Sequence, residues 1–270
     1  MKRLSFALGV VLVLGTLGQA LAQGLPKTQP KILTVIREHV KVGRSAEHSK
    51  FEAGYPAAFE KAKSPDYYLA MTSLTGPSEA WYVIPNESNA AIGESMKRED
   101  KDPVLSAELS RLDLADAEYI SGVEAIRAIA RPDLSVGEFP DLSKARFYEI
   151  SIFRIRVGRE QQFEEIAKAY AAATKRAVPK ASYRLYQVVV GMPDPTFLVF
   201  SSVENYSEFD QKLIDGQETF KQASPEEMAA FQKFGEVAER VENNHFRVDP
   251  VQSYVPKETR EKDPDFWIHK

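Results

Sequence analysis

Two stretches of this chain are written alike. Lys31–Arg44 reads KILTVIREHVKVGR, and 115 residues later Arg146–Arg159 reads RFYEISIFRIRVGR. Each is rich in β-branched and apolar residues, and each closes on Val-Gly-Arg (Val42-Gly43-Arg44 and Val157-Gly158-Arg159). Such a run encodes a strand that enters a glycine turn and then a helix. At the same offset Tyr55 meets Tyr170, Ala57-Ala58 meets Ala172-Ala173, Ala62 meets Ala177, Tyr68 meets Tyr183 and Gly76 meets Gly191. The chain is one unit written twice, and its fold must accommodate both copies.

In the first copy Ile32–Val42 suits a strand. The next helix carries Phe51, Tyr55, Ala58, Phe59 and Ala62 on one face, and Pro65-Asp66 ends it. Tyr67–Thr75 and Ala80–Ile84 make a hairpin around Gly76-Pro77. Asn86–Lys97 reads as a short helix and the charge cluster Lys97–Asp102 as a solvated loop. Val104–Tyr119 forms a helix with Leu105, Leu109, Leu112 and Ala115 inward; Val123–Ala130 either continues it or is a fourth strand. The second copy repeats the order with a strand at Phe147–Val157, a helix to Ala177 and a hairpin of Tyr183–Val190 with Phe197–Ser201. Ser207 is expected to cap a short helix ending near Gly216. Ser224-Pro225-Glu226-Glu227 is a capping-box start. The long helix it opens carries Met228, Phe231, Phe234, Val237, Ala238 and Val241 on one face, before a last strand at Asn244–Tyr254.

Strand–helix–strand–strand–helix–strand is the split βαβ order of a ferredoxin-like module. Its helices cover one sheet face only, so the other face needs a partner. The expected fold class is therefore α+β: two tandem ferredoxin-like modules packed sheet to sheet as an intramolecular α+β barrel. The division is 1–22 signal peptide, 23–30 flexible leader, 31–134 first module, 135–145 linker, 146–256 second module and 257–270 charged tail. The 1–22 assignment comes from Lys2-Arg3, the uncharged run Leu4–Leu17 and the small residues of Ala20-Leu21-Ala22. Cleavage there leaves 248 residues and moves the formal charge from −4 to −6. The expected location is secreted or periplasmic. The absence of cysteine leaves stability to the core. A mildly acidic, mixed-charge surface disfavours nucleic acid as a partner, and no later stretch is apolar enough for a membrane span.

The second opening strand carries a family resemblance. Phe147-Tyr148-Glu149-Ile150, then Arg154-Ile155-Arg156-Val157-Gly158-Arg159 and a Phe/Glu-bearing helix, resemble the start of NIPSNAP-type and related dimeric α+β barrel proteins. The likeness covers roughly the first 55 residues of the second copy and weakens in the first, where Thr34 replaces the Glu. It implies a central cavity and leaves its contents open, because the superfamily includes haem-degrading monooxygenases, chlorite dismutase-like haem proteins, lactone isomerases and proteins of unknown role.

Strand alternation splits each opening strand into two faces. Leu33 and Val35, matched by Tyr148, Ile150 and Ile152, suit packing against helices. Ile32, Thr34, Ile36 and Glu38, matched by Phe147, Glu149, Ser151 and Phe153, mix polar groups into an apolar face, as a cavity wall does. Glu38 and Glu149 are the resulting cavity candidates, each a general acid or base if the pocket is partly dry. Trp81 and Tyr186 add aromatic surface. A haem cofactor would need an axial ligand, and His245 is the candidate among four histidines. His39 falls on the helix-packed face, His48 on an exposed-looking helix turn and His269 in the tail. No pair has zinc-site spacing, no metal ligand is assigned, and no phosphate loop or nucleophile elbow occurs. Three functions remain: a binder of a small apolar or aromatic molecule, an oxygenase-like or isomerase-like barrel enzyme, and a scaffold acting through its surface or its Phe266-Trp267 tail. The partners this allows are a small-molecule ligand and further copies of the chain.

Overall fold

The computed structural model of the protein describes residues 24–268. The export signal read at 1–22 and His269 lie outside them. Eight antiparallel strands close into one barrel. β1 (Ile32–Val40), β2 (Tyr68–Ser73), β3 (Glu79–Asn86) and β4 (Ile120–Ala130) come from the first copy. β5 (Phe147–Ile155), β6 (Arg184–Val190), β7 (Thr196–Val203) and β8 (Ala238–Tyr254) come from the second. The order around the barrel is β1-β3-β2-β8-β5-β7-β6-β4. Each copy is thus a ferredoxin-like sheet of order 4-1-3-2, and the two join at two seams. At one, Ala70 of β2 lies opposite Asp249 of β8; at the other, Ala130 of β4 lies opposite Tyr186 of β6.

The repeated Val-Gly-Arg has a backbone cause. Gly43 and Gly158 sit at φ +78° and +80°, the left-handed region, with nothing within 4 Å of where a Cβ would stand. Glycine is needed there for its conformation alone, because the strand must reverse into a helix in four residues. The helices that follow differ between the copies. The first copy has α1 (Ser45–Glu52) and α2 (Gly54–Ala62), then α3 (Asn89–Lys101) and α4 (Pro103–Asp116). The second has one unbroken 18-residue α5 (Glu160–Ala177), then α6 (Glu208–Lys221), α7 (Pro225–Gln232) and the short α8 (Phe234–Val237). Pro56 accounts for the break. It has no N–H for the Glu52 carbonyl and its ring crowds that carbonyl, so the expected single helix divides at Ala53.

Other boundaries move for equally local reasons. Lys97–Asp102 is no loop: it forms the last turns of α3, and Asp102 Oδ1 then caps α4 by accepting from the amides of Val104 and Leu105 at 3.1 and 3.0 Å. Val123–Ala130 is strand. Helix α6 runs through Gly216, and Ser207 makes no side-chain cap. The capping box at Ser224 is present, but its helix stops at Gln232; Ala238 and Val241 belong to the 17-residue β8, which pairs with β5 and then with β2. Two short helices, α9 (Lys257–Lys262) and α10 (Pro264–Trp267), end the described chain. Among the described residues no helix is long and apolar enough to cross a membrane.

The barrel interior is solid. Leu33, Val35, Met71, Trp81, Ile126, Ile150, Tyr186, Leu198, Phe200 and Phe246 form one buried cluster drawn from both copies. At one mouth only about 70 Å³ remains, lined by Leu25, Pro26, Phe139, Tyr148 and Arg184 among others. Leu25 and Leu142 pack against the interior cluster, and the Gln29 side chain donates to the Leu185 carbonyl at 3.0 Å. Trp267 joins the same cluster, its indole donating to the Ser143 carbonyl at 3.1 Å, while Arg146 stacks over Phe266 at 3.7 Å. This inverts the expected strand faces. Leu33, Val35, Tyr148, Ile150 and Ile152 point into the barrel, and the mixed-polarity face bearing Glu38 and Glu149 points outward to the helices.

Candidate functional site

The outward face of each sheet forms a shelf beneath that copy's helices. In the second copy the shelf is a cavity of about 460 Å³, within the range of small-molecule sites. Its floor is the outward face of β5 and β7, with Glu149, Ser151, Phe153, Val199 and Ser201. Helix α5 supplies Phe163, Ile166, Ala167, Tyr170 and Thr174 at successive turns, and α6 supplies Lys212, Asp215, Thr219 and Phe220. Phe231 and Phe234 close one end. Phe163 stacks on Phe197 at a centroid distance of 4.5 Å, so the aromatic wall is anchored through the sheet.

The cavity lining carries one lysine, Lys212, and two acids, Glu149 and Asp215. Glu149 and Ser201 are directly opposed on β5 and β7, and the Lys212 ammonium reaches Ser201 Oγ at 2.5 Å. Burial lowers the pKa of Lys212, with Glu149, Asp215 and Glu208 pulling the other way. A half-buried amine is closer to its neutral, proton-accepting form than a fully solvated surface lysine. The Thr174 hydroxyl is buried and has no hydrogen-bond partner. An orphaned hydroxyl costs about 1–3 kcal/mol, which a ligand or water in the cavity recovers.

In the first copy the corresponding shelf is filled with charge. Glu38 on β1, His48 and Glu52 on α1 and Asp116 at the end of α4 each offer one ligand-type atom, all four within 4.8 Å of one another. His48 Nδ1 lies 2.9 Å from Asp116 Oδ1, and His48 Nε2 lies 3.7 Å from Glu38 Oε2. That Glu38 oxygen is buried without a hydrogen-bond partner. Burial raises the Glu38 carboxyl to about 7, helped by Asp116 and Asp113 and opposed by His48. Burial and the neighbouring Glu38 raise Glu52 to about 9. Tyr55 donates to Asp113 at 2.5 Å beside the cluster.

The five residues singled out from sequence therefore separate. Glu149 lines the second-copy cavity, although from outside the barrel. Glu38 belongs to the acidic cluster of the first copy. Trp81 and Tyr186 are interior core: the Trp81 indole donates to Glu79 at 2.9 Å beneath the Arg37–Glu79 ion pair, and Tyr186 packs edge-on to Phe200. His245 faces outward, stacked on Phe209 at 4.0 Å and bonded to the Tyr206 hydroxyl at 3.0 Å. It lines no cavity. The barrel interior is packed, and the cavity lining offers a haem no histidine, cysteine or methionine ligand, leaving Tyr170 and Tyr183 as its aromatic oxygen donors. His48 is 2% exposed, where the sequence suggests an exposed turn. Lys212, Thr174 and the His48/Glu52 pair escape the sequence reading. The signal for the last is present, because i and i+4 share a helix face.

No protein-family model and no curated protein matches the sequence. Solved structures resemble the fold. A candidate monooxygenase of Fusobacterium nucleatum subsp. nucleatum is similar at TM-score 0.52 and 11% identity, covering 83% of this chain and 94% of that one. A second candidate monooxygenase, from Lactobacillus acidophilus, gives 0.50 and 5% over 80% and 93%. An anthrone oxidase-like protein gives 0.50 and 12% over 83% and 94%. These likenesses are of fold alone: an eight-stranded antiparallel α+β barrel, here closed within one chain.

Proposed function

We propose that the protein is an oxygenase-like barrel enzyme whose substrate is a flat, mainly apolar molecule held on the second-copy shelf. The observation that carries this reading is the 460 Å³ largely apolar cavity with a half-buried amine at its floor. Fold likeness to candidate monooxygenases and to an anthrone oxidase-like protein supports the same class. Phe163, Tyr170, Phe220 and Phe231 give a slot for a ring system. Thr174 and Ser201 offer hydrogen bonds to its oxygens. Lys212 takes the proton from a C–H or O–H made acidic by ring conjugation, and Glu149 stabilises the ammonium that results. The substrate anion left behind is the electron-rich species that dioxygen oxidises. For a ring methylene the balance is CH2 + O2 → C=O + H2O, with carbon oxidised and dioxygen reduced. The strand-level resemblance to NIPSNAP-type proteins belongs to this proposal, as does export through a cleaved signal. Amino-terminal sequencing of protein recovered outside the cytoplasm checks the latter.

The test uses the purified protein with anthrone and polyhydroxylated aromatics as probes, in an oxygen electrode. The expected result is oxygen uptake matched by quinone formation, reduced about 100- to 10,000-fold in Lys212→Met. Saturable probe binding without oxygen uptake would instead make the protein a binder of small apolar molecules. No binding by any probe would remove the cavity from consideration.

A further inference from the structure

The buried cluster in the first copy takes no part in the reading above. Around it the charged and hydrogen-bonding groups come from every packed element. Glu38 comes from β1, His48 and Glu52 from α1, Tyr55 from α2, Asp113 and Asp116 from α4, Tyr82 from β3 and Gln252 from β8. None of them is a lysine or arginine. Among the described residues, two buried carboxylates, Glu52 and Asp116, and the largely buried Glu38 therefore share one imidazole as their only basic neighbour.

The hydrogen bonds fix which way that imidazole faces. Asp116 accepts from His48 Nδ1 at 2.9 and 3.1 Å, so the Nδ1 proton is committed. The Gln252 amide nitrogen donates to Ser49 Oγ and Asp249 Oδ2, both at 3.0 Å, which turns the Gln252 oxygen toward Tyr82. That oxygen takes the phenol's proton at 2.9 Å. The 3.4 Å approach of the Tyr82 hydroxyl to His48 Nε2 is then left with no proton to share. His48 is 2% exposed, and its Nε2 lone pair points into the cluster, 3.7 Å from the unpartnered Glu38 Oε2. A lone pair and an ionised carboxylate oxygen facing each other in a dry site repel unless a cation, or a proton carried by one of the two groups, lies between them. An aspartate holding the far nitrogen of a histidine is also the usual second layer of a metal site, fixing the tautomer that ligates.

We propose that Glu38, His48 Nε2 and Glu52 bind a divalent first-row transition ion, with Asp116 positioning the imidazole. One nitrogen with carboxylate oxygens suits manganese, iron or zinc better than magnesium or calcium. The site ties β1 to α1 and, through Asp116, to α4, so the ion stabilises the copy that lacks the large cavity. It stands independently of the oxygenase reading, because no residue is shared with the Lys212 shelf.

The experiment titrates Zn2+ and Mn2+ into the chelator-treated full chain by calorimetry and thermal unfolding, with Mg2+ and Ca2+ as comparators. One saturating equivalent, a raised Tm, and affinity about 10- to 100-fold weaker in Asp116→Asn are expected. Glu52→Gln should lose binding while its circular dichroism is unchanged. A readout without any variant is Mn2+ broadening of histidine ring proton signals in the wild-type chain, which should strike His48 ahead of His39 and His245. Broadening equal across the histidines, or binding that does not saturate, would mean an adventitious ion only. A proton between Nε2 and Glu38, on either group, is the occupant instead if the His48 ring signals are unchanged by any of these metals. Either result overturns the site.

Discussion

The two shelves occupy the same place in the two copies and have opposite contents. At the repeat offset, His48 of α1 corresponds to Phe163 of α5, and Glu52 to Ala167. One pair forms half of a buried polar cluster; the other lines an apolar cavity. The strands, the glycine turn and the barrel seams are shared, so the fold tolerates either filling. The first copy closes its shelf by breaking its helix at Pro56. The second keeps an unbroken α5 and leaves space beneath it. Duplication within one chain let the two shelves diverge, since neither has to serve both positions at once.

The contrast breaks first at Phe163. Its removal to Ala should cost about 3–5 kcal/mol in urea unfolding, because the ring is buried and anchors the aromatic wall. A cost below about 1 kcal/mol would mean the second shelf is already loosely packed. The next effect belongs to the first shelf. Glu38 and Glu52 have folded pKa values raised to about 7 and about 9. The native state therefore holds protons that the unfolded chain has released above about pH 4 to 5. Stability of the metal-free protein is full below that range and falls as pH rises above it, with a slope approaching two protons, about 2.7 kcal/mol per pH unit, up to about pH 7 and one proton, about 1.4 kcal/mol per pH unit, from there to about pH 9. Glu52→Gln should flatten the upper part of that profile in thermal melts. A profile unchanged by the substitution would detach the slope from this cluster. Filling the second shelf with Ala167→Phe should weaken aromatic probe binding more than about 10-fold in fluorescence titration, with little loss of stability, since the ring enters existing space. The smallest expected effect is Thr174→Val. Removing an orphaned hydroxyl should stabilise the unliganded protein by about 1 kcal/mol and weaken a ligand that bonds to it.

Much of the fold is legible in the sequence because duplication doubles the signal. Val-Gly-Arg recurs, the hairpins recur, and the 4-1-3-2 order follows from them. The strand faces come out reversed for a physical reason. Alternation reports which residues share a face but not which way that face points. The barrel interior is enclosed by sheet on every side and is the driest place in the molecule, so Val35 and Ile150 go there. The space under the helices opens at its edges, so it tolerates Glu38 and Glu149. His48 looks exposed in the sequence because its own helix, SAEHSKFE, is polar apart from Ala46 and Phe51. Its burial comes from Asp116 and Tyr82, which are distant in sequence. The overlong helix expected after Ser224 has a similar origin. Its capping box is local and correct, but helix-spaced apolar residues continue by coincidence into β8.

Both barrel seams join parts of one chain, and this has a consequence for concentration. When two separate chains form such seams, dilution opens them and exposes two unpaired strand edges on each half. Here the partner edge is tethered, at an effective concentration on the order of millimolar for a short connection. The connection is itself fastened, by Arg131 to Asp133 and Glu164 and by the bridge between Val136 and Tyr183. A closed barrel of this kind keeps its two different shelves together, one of each, however dilute the compartment it works in.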